Sequence, residues 1–390
     1  MTESTRHPLA PKELCTGCGA CASGCPKNAI HLLPNREGFL YPTVTDACIQ
    51  CGHCSHICPV LKQRQPRSEP AAFAVWNSDD ATRRLSGAGG VFSVMAEFIL
   101  DDGGVVCGAI LDEKLHVCHS VITDKKDLHR LRGAKPVQSR MGESYRRVRY
   151  YLEQGRRVLF SGTPCQVDGL YRYLGEHPEK LLTCDILCTG VASPGVWEQL
   201  LHSMAYIKRQ KPTAVTFCAK LDGEKDRRFR VEFEGGAIYD APLPKSEFGY
   251  GLARRLFLRP ACHTCPYTCS DRVGDLSLGT YPSLPKEFYP EEQKKGISLL
   301  LINSAKGAHF FDTLPLKKEK RPLSEAVAGN AALSTPIAPS PERTDFFDAF
   351  ALQPFQQVRN RYLTPPALGV PAKRGISVLK KFFRKRNAEK

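Results

Sequence analysis

Long apolar runs are missing from this chain. Nowhere in its 390 residues do about eighteen uncharged apolar residues follow one another, which excludes a membrane-spanning helix of ordinary hydropathy. The opening stretch MTESTRHPLAPKEL lacks an apolar segment of signal-peptide length, so secretion is not indicated and the expected location is the cytoplasm. Acidic residues are in short supply as well: 40 Asp and Glu face 55 Lys and Arg, a formal charge of +15. Neither a zinc finger nor an RNA-recognition signature accompanies that charge, so it suits anionic cofactors or an acidic electron carrier and excludes nucleic acid as the expected partner. Internal repeats are absent too, with one exception.

The exception is made of cysteine, of which there are 17. In a reducing compartment disulfides are not the expected use, and tight local spacing points to metal ligation. Cys15, Cys18, Cys21 and Cys25-Pro26, then Cys48, Cys51, Cys54 and Cys58-Pro59, repeat the run C-x2-C-x2-C-x3-C-P. Two-residue gaps let three thiolates wrap one iron-sulfur cube within a single loop, while the fourth cysteine reaches the neighbouring cube. Cys15, Cys18, Cys21 and Cys58 are therefore expected to hold one 4Fe-4S cluster, and Cys48, Cys51, Cys54 and Cys25 a second. Structural zinc is the competing reading, but it calls for four ligands per site in separated pairs.

Composition then divides the chain. Residues 1–12 read as a flexible N-terminus, 13–62 as a small ferredoxin-like α+β domain, 63–70 as a polar linker and 71–350 as an α/β body. In the body AAFAVW, GVVCGAIL, RRVLF, LLTCDILC and ISLLLINSAKG read as strands, with helices in GGVFSVMAEFIL, QVDGLYRYLG and PGVWEQLLHSMAYIKRQ. Such alternation predicts a mixed, largely parallel sheet covered on both faces. RFRVEFEGGAIYDAPL reads as a hairpin, and the Pro- and Ala-rich stretch from about residue 320 as a surface wrap. Residues 351–390 form a C-terminal extension whose last eighteen residues hold eight Lys or Arg and one Glu. Their apolar positions fall near one helical face, so 373–390 is expected to touch an anionic membrane surface peripherally.

Five segments of the body occur in a recognisable order: SGAGGVFS (86–93), LRGAKPVQS (131–139), VLFSGTPCQVDGL (158–170), CDILCTGVASPGVW (184–197) and RPACHTCPYTCSDRVGDLSLG (259–279). Together they resemble the coenzyme F420 hydrogenase/dehydrogenase beta-subunit family, in a version with its own N-terminal ferredoxin domain. The resemblance implies an FAD and iron-sulfur oxidoreductase. Some of the family use F420, some belong to sulfite reductases, and many bacterial members lie near polysaccharide-assembly genes. It also implies a flavin cradle at Ser86, Gly87, Gly89 and Gly90, where glycines permit close backbone approach at the start of a helix suited to a diphosphate. Lys135 is the candidate cation beside the flavin. Gln138, Ser139, Thr163, Asp271, Arg272 and Asp275 are further candidate cofactor contacts.

Four more cysteines complete the expected site. Parallel strands would bring Cys165 and Cys188 to one rim of the sheet, and Cys262 and Cys265 form a C-x2-C pair, so a third 4Fe-4S cluster is expected on these four. Cys269 and Cys184 are reserve ligands, and a reactive thiol at Cys165 on a helix N-terminus is the competing reading. Flavin is the natural intermediary, because nicotinamide and deazaflavin give two electrons while each cluster takes one. The leading function is an FAD-dependent iron-sulfur oxidoreductase linking a ferredoxin-like carrier, F420 or nicotinamide to an acceptor the sequence does not identify. The alternatives are a non-catalytic electron-transfer subunit of a larger complex and a cluster-containing accessory protein of polysaccharide assembly. Pro136, Thr189 and Thr280-Tyr281 depart from the family's pattern, which weakens the transfer of F420 specificity.

Overall fold

The computed structural model describes residues 9–62, 64, 69–219 and 227–366. In the cysteine-rich segment, strands β1 (Ile30–Pro34) and β2 (Leu40–Val44) pair antiparallel. Each cysteine run carries one short helix, Ala20–Gly24 or His53–His56, and the two helices pack together. Both start from a glycine at positive φ, Gly19 at 82° and Gly52 at 73°. A residue without a Cβ takes that conformation freely, and it turns the chain sharply between successive cysteines.

Eleven strands follow: β3 (Ala71–Trp76), β4 (Val105–Leu111), β5 (Val117–Ile122), β6 (Val158–Gly162), β7 (Leu181–Ile186), β8 (Pro212–Ala219), β9 (Arg228–Phe233), β10 (Ile238–Pro242), β11 (Leu276–Thr280), β12 (Ser298–Ile302) and β13 (Lys317–Arg321). Eight of them make one mixed sheet in the order β13-β3-β12-β11-β7-β6-β4-β5. Its centre, β4, β6, β7 and β11, is parallel, and antiparallel strands flank it on both sides. The central strands are buried almost end to end, Val158 to Phe160 and Leu181 to Asp185, as expected where helices cover both faces.

The helix after β6 runs from Pro164 to Leu174, so Cys165 lies in its first turn and not at the strand end. The sequence explains the early start. Thr163 and Gln166 form a reciprocal capping box, and Pro164 has the fixed φ that suits the first helical position.

Strands β8, β9 and β10 form a separate three-stranded sheet, which includes the expected hairpin. Its inner face places Phe217, Phe229, Val231 and Phe233 against Trp197 and Phe248. Phe346, Phe347, Val358, Tyr362 and Leu363 are buried in the same core. The stretch beyond residue 320 therefore does not simply wrap the surface, and the chain past 350 helps to close the body. Proline and alanine content suggested exposure, but the large aromatic area of residues 346–362 decides the matter.

The N-terminal unit is built into this body. Phe39 and Tyr41 enter the core around Trp197. The Leu40 amide donates to Gln138 Oε1 at 3.0 Å, and Gly38 meets Gly195 so closely that a Cβ on Gly195 would sit 2.7 Å from the Gly38 Cα. Among the described residues no helix is long and apolar enough to cross a membrane. The basic segment 373–390, with its expected membrane contact, lies outside the described residues.

Candidate functional site

Because β6 and β7 are adjacent and parallel, the turns after their C-terminal ends lie side by side, and Cys165 and Cys188 follow those ends. The short helix Pro260–Thr264 brings Cys262 and Cys265 to the same place. The four thiols sense one another. Burial first, and then the neighbouring thiols, push Cys165, Cys188 and Cys262 up to about 12, with Cys265 acting on all three. Burial thus works against a low-pKa nucleophile at Cys165, whose Sγ lies 3.1 Å from Thr163 Oγ1. Neither reserve cysteine joins the group. Cys269 lies 3.2 Å from the Asp271 carbonyl oxygen, with Arg64 and Arg272 as its charged neighbours, and Cys184 is buried in the core on Leu159, Leu182 and Leu276.

The N-terminal cysteines lie close enough to act on one another, within and across the two expected sets. Burial and the thiols of Cys15, Cys58 and Cys54 raise Cys21 to about 12, and Cys58 is raised by burial and by Cys15 and Cys54. Cys18 is pushed well above the ordinary thiol range by burial, then by Cys21, Cys165 and Cys15. Cys25, Cys48, Cys51 and Cys54 together line a cavity of about 40 Å³. Among the described residues no three His, Cys, Asp or Glu side chains close around a point for a single metal ion. The spacing of the N-terminal runs suits iron-sulfur cubes, which take one thiolate at each of four irons.

The first N-terminal set touches the body's own set. A Cβ on Gly169, one turn along the helix from Cys165, would lie 3.1 Å from both Cβ and Sγ of Cys18. The other N-terminal set faces outward. Cys51 is exposed, and a second cavity of about 310 Å³ opens beside Cys25, lined by Ser23, Asn28, His53, Arg146, Arg149 and Tyr173.

The two segments expected to cradle flavin meet through a residue the sequence reading missed. Ser86 Oγ donates to the Thr82 carbonyl and approaches Ser93 Oγ at 3.2 Å, and Ser93 Oγ in turn accepts from Arg132 Nε at 3.0 Å. Arg132 also pairs with Glu97 at 3.2 Å. Lys135 Nζ donates to the Arg132 carbonyl at 2.8 Å. Burial lowers Lys135 to about 8, so it is not an ordinary solvated lysine. Helix Val91–Asp101 starts at Gly90 with no side-chain cap, and open space surrounds Gly87. Gly89 serves packing, since a Cβ there would lie 2.5 Å from the Val75 carbonyl oxygen. Ser139 meets His119, also missed, at 2.7 Å from Nδ1. His119 Nε2 lies 3.1 Å from the Ser161 carbonyl, which only accepts, so Nε2 carries the proton and Nδ1 accepts from Ser139. Burial holds His119 near 4, hence neutral.

Four expected cofactor contacts have partners within the protein. Gln138 binds the Leu40 backbone through its amide. Asp271 pairs with Arg64 at 2.7 Å. Arg272 pairs with Asp185 at 2.6 Å, both fully buried. Asp275 accepts from Thr183 N at 2.9 Å and from Ser304 Oγ at 2.7 Å. The sequence reading had only the charges to go on, and their partners lie 29 to 207 positions away.

Residues 155–321 match the protein family described as the C terminus of the coenzyme F420 hydrogenase/dehydrogenase beta subunit, and residues 14–61 match the 4Fe-4S dicluster domain. The longer segment belongs to the beta-subunit family. The chain is also 27% identical over 289 residues to a subunit of the F420H2 dehydrogenase of Methanosarcina mazei, covering 69% of this chain and 75% of that protein. A chain of the F420-reducing [NiFe] hydrogenase complex of Methanosarcina barkeri overlaps 77% of this chain and 93% of its own length, with 16% identity and a TM-score of 0.45. The dicluster match spans all eight N-terminal cysteines, and the beta-subunit match spans Cys165, Cys188, Cys262 and Cys265. The glycine segment 86–93 and Lys135 precede the part of the chain matched to the beta-subunit family. The protein is thus an iron-sulfur electron-transfer chain related to beta subunits of F420 hydrogenases and dehydrogenases.

Proposed function

We propose that the chain is a flavin-dependent iron-sulfur oxidoreductase with three 4Fe-4S sites. Cys15, Cys18, Cys21 and Cys58 would hold one cluster, Cys25, Cys48, Cys51 and Cys54 the second, and Cys165, Cys188, Cys262 and Cys265 the third. When bound, the clusters supply one-electron transfer, and FAD supplies the exchange between single electrons and hydride. The observation that carries the reading is the contact of Cys18 with the helix that bears Cys165, which puts a ferredoxin-type ligand loop directly against the four-cysteine group of the body. The uncapped start of helix Val91–Asp101, with Arg132 and Lys135 beside it, suits the FAD diphosphate. Arg146 and Arg149, beside Cys25 at the outward end, suit an acidic carrier.

An anaerobic preparation tests this. It should contain about twelve irons per chain, release FAD on denaturation, and accept electrons from an acidic one-electron carrier at a rate that falls as salt is added. About eight irons, or no flavin, sinks the reading. The structural roles of Asp271, Arg272 and Asp275 favour one alternative, an electron-transfer subunit whose substrate site lies on another chain. That version keeps clusters and FAD but shows no turnover with F420H2 or NADH until a partner subunit is added.

Lys135 gives the flavin site a pH dependence. Its ammonium attracts phosphate and its neutral amine does not, so FAD affinity should be level below about pH 8 and weaken as pH rises through that value. In Lys135→Arg, whose guanidinium keeps its proton, the titration should flatten between pH 7 and 9. Equal pH profiles for the two proteins, measured by flavin fluorescence, remove Lys135 from the phosphate site.

A further inference from the structure

We propose that Arg259 is the resident counter-charge of the inner iron-sulfur region and raises the reduction potential of the cluster held by Cys15, Cys18, Cys21 and Cys58. The inference rests on the ligand sets proposed above, and starts from a comparison among buried arginines. Arg83, Arg259 and Arg272 are each at most 2% exposed. Arg83 pairs with Glu292, and Arg272 with Asp185. Arg259, at 0%, has no carboxylate partner among the described residues. Glu37, which shares the neighbour Tyr41 with Arg259, is held by Arg343 through contacts of 3.1 and 2.7 Å. A buried charge left unpaired is strongly unfavourable, so the compensating negative charge has to come from something that binds.

What surrounds the guanidinium indicates where that charge sits. Its Nε donates to the carbonyl of Cys15 at 2.7 Å and its Nη1 to the carbonyl of Leu40 at 3.1 Å. A Cβ on Gly17, inside the Cys15–Cys18 loop, would lie 3.1 Å from the guanidinium carbon. The Tyr41 ring packs on one side at 4.1 Å. Nη2 is buried and has no hydrogen-bond partner. On the other flank, Cys262 N donates to the Arg259 carbonyl at 3.0 Å, so the same residue anchors the loop of the body's four-cysteine set. A cube bound by four thiolates is net negative and gains one more negative charge on reduction. A fixed cation beside it in a medium of low dielectric favours the reduced form.

EPR-monitored redox titration of the full chain, purified without oxygen, tests the role with two substitutions. Arg259→Gln should retain the parent's iron but lower the midpoint of one cluster by about 59 mV or more, a tenfold fall in the reduced-to-oxidised ratio at fixed potential for a one-electron couple. Arg259→Lys, which keeps the charge while losing the two-pronged hydrogen bonding, should recover most of that shift. Iron-replete Arg259→Gln with the parent's midpoints, or equal shifts in the two variants, overturns the proposal. If Arg259→Gln fails to hold iron, Arg259→Lys decides alone: a midpoint close to the parent's supports the charge, and a fall of about 59 mV assigns Arg259 to packing. A parent chain without iron instead overturns the ligand assignment beneath the proposal.

Discussion

Replacing Cys165 with serine is expected to take the iron content from about twelve to about eight per chain while the protein stays folded. The substitution removes one sulfur and keeps the shape, so the helix Pro164–Leu174 retains its capping box and its packing on β6 and β7. What it removes is the soft ligand that iron-sulfur chemistry needs and that a hydroxyl replaces poorly. No cysteine nearby can stand in. Cys184 belongs to a core cluster with Leu159 and Leu276, whereas Cys165 and Cys265 pack against the cluster containing Phe160 and Val167. Cys269 lies against backbone carbonyls of Pro266 and Asp271. Cys184→Ser is therefore the matched control and should keep about twelve irons. Unchanged iron in Cys165→Ser, measured with inorganic sulfide in the same sample, would falsify the third site.

The loss should also be felt beyond the body. Cys18 and Cys165 are electrostatic neighbours, and Gly169 has no side chain where Cys18 approaches. Two ligand loops this close leave no room for a bulky insulating side chain between them. Gly169→Leu should accordingly push the N-terminal unit away, while Arg146, whose guanidinium donates to the Ser23 carbonyl at 3.1 Å, holds only the far edge of the contact.

How much of this was readable beforehand depends on range along the chain. The N-terminal cysteines are local: two-residue gaps bring three thiols of each run into one loop, and the expected sets follow from that spacing. The rim shared by Cys165 and Cys188 was readable one step further on, because buried apolar runs separated by a helix predict adjacent parallel strands. Long-range pairing was not. Arg64 meets Asp271 and Arg259 meets Cys15 across 207 and 244 positions, and no periodicity encodes such partners. The sequence alone pointed to a cofactor or substrate pocket at Asp271, Arg272 and Asp275, and the fold uses each of them to fasten distant segments together. Arg132 went unnoticed for the opposite reason. It stands in the quoted LRGAKPVQS segment, but only the packing of that segment on the first turn of helix Val91–Asp101 reveals its hydrogen bond to Ser93.

Arg272 separates these two uses of charge by experiment. Its guanidinium donates to Asp185 Oδ1 at 2.6 Å, to the Tyr267 carbonyl at 2.8 Å and to the Ile186 carbonyl at 3.1 Å, tying β7 to the loop that carries Cys265. Asp185 also accepts from the Gly274 amide at 2.8 Å, so the carboxylate cannot move away when its partner is lost. Arg272→Leu then leaves a buried carboxylate without its cation, and stability should fall by roughly 3–5 kcal/mol. A contact to flavin or substrate predicts something else: a folded protein with an unchanged urea midpoint that has lost cofactor or turnover. The double variant Arg272→Leu with Asp185→Leu sharpens the distinction, because removing both charges leaves no orphan and should restore part of the lost stability. If the single variant unfolds at the parent's midpoint, or the double variant is worse by the sum of both single losses, the pair is not the structural tie described here.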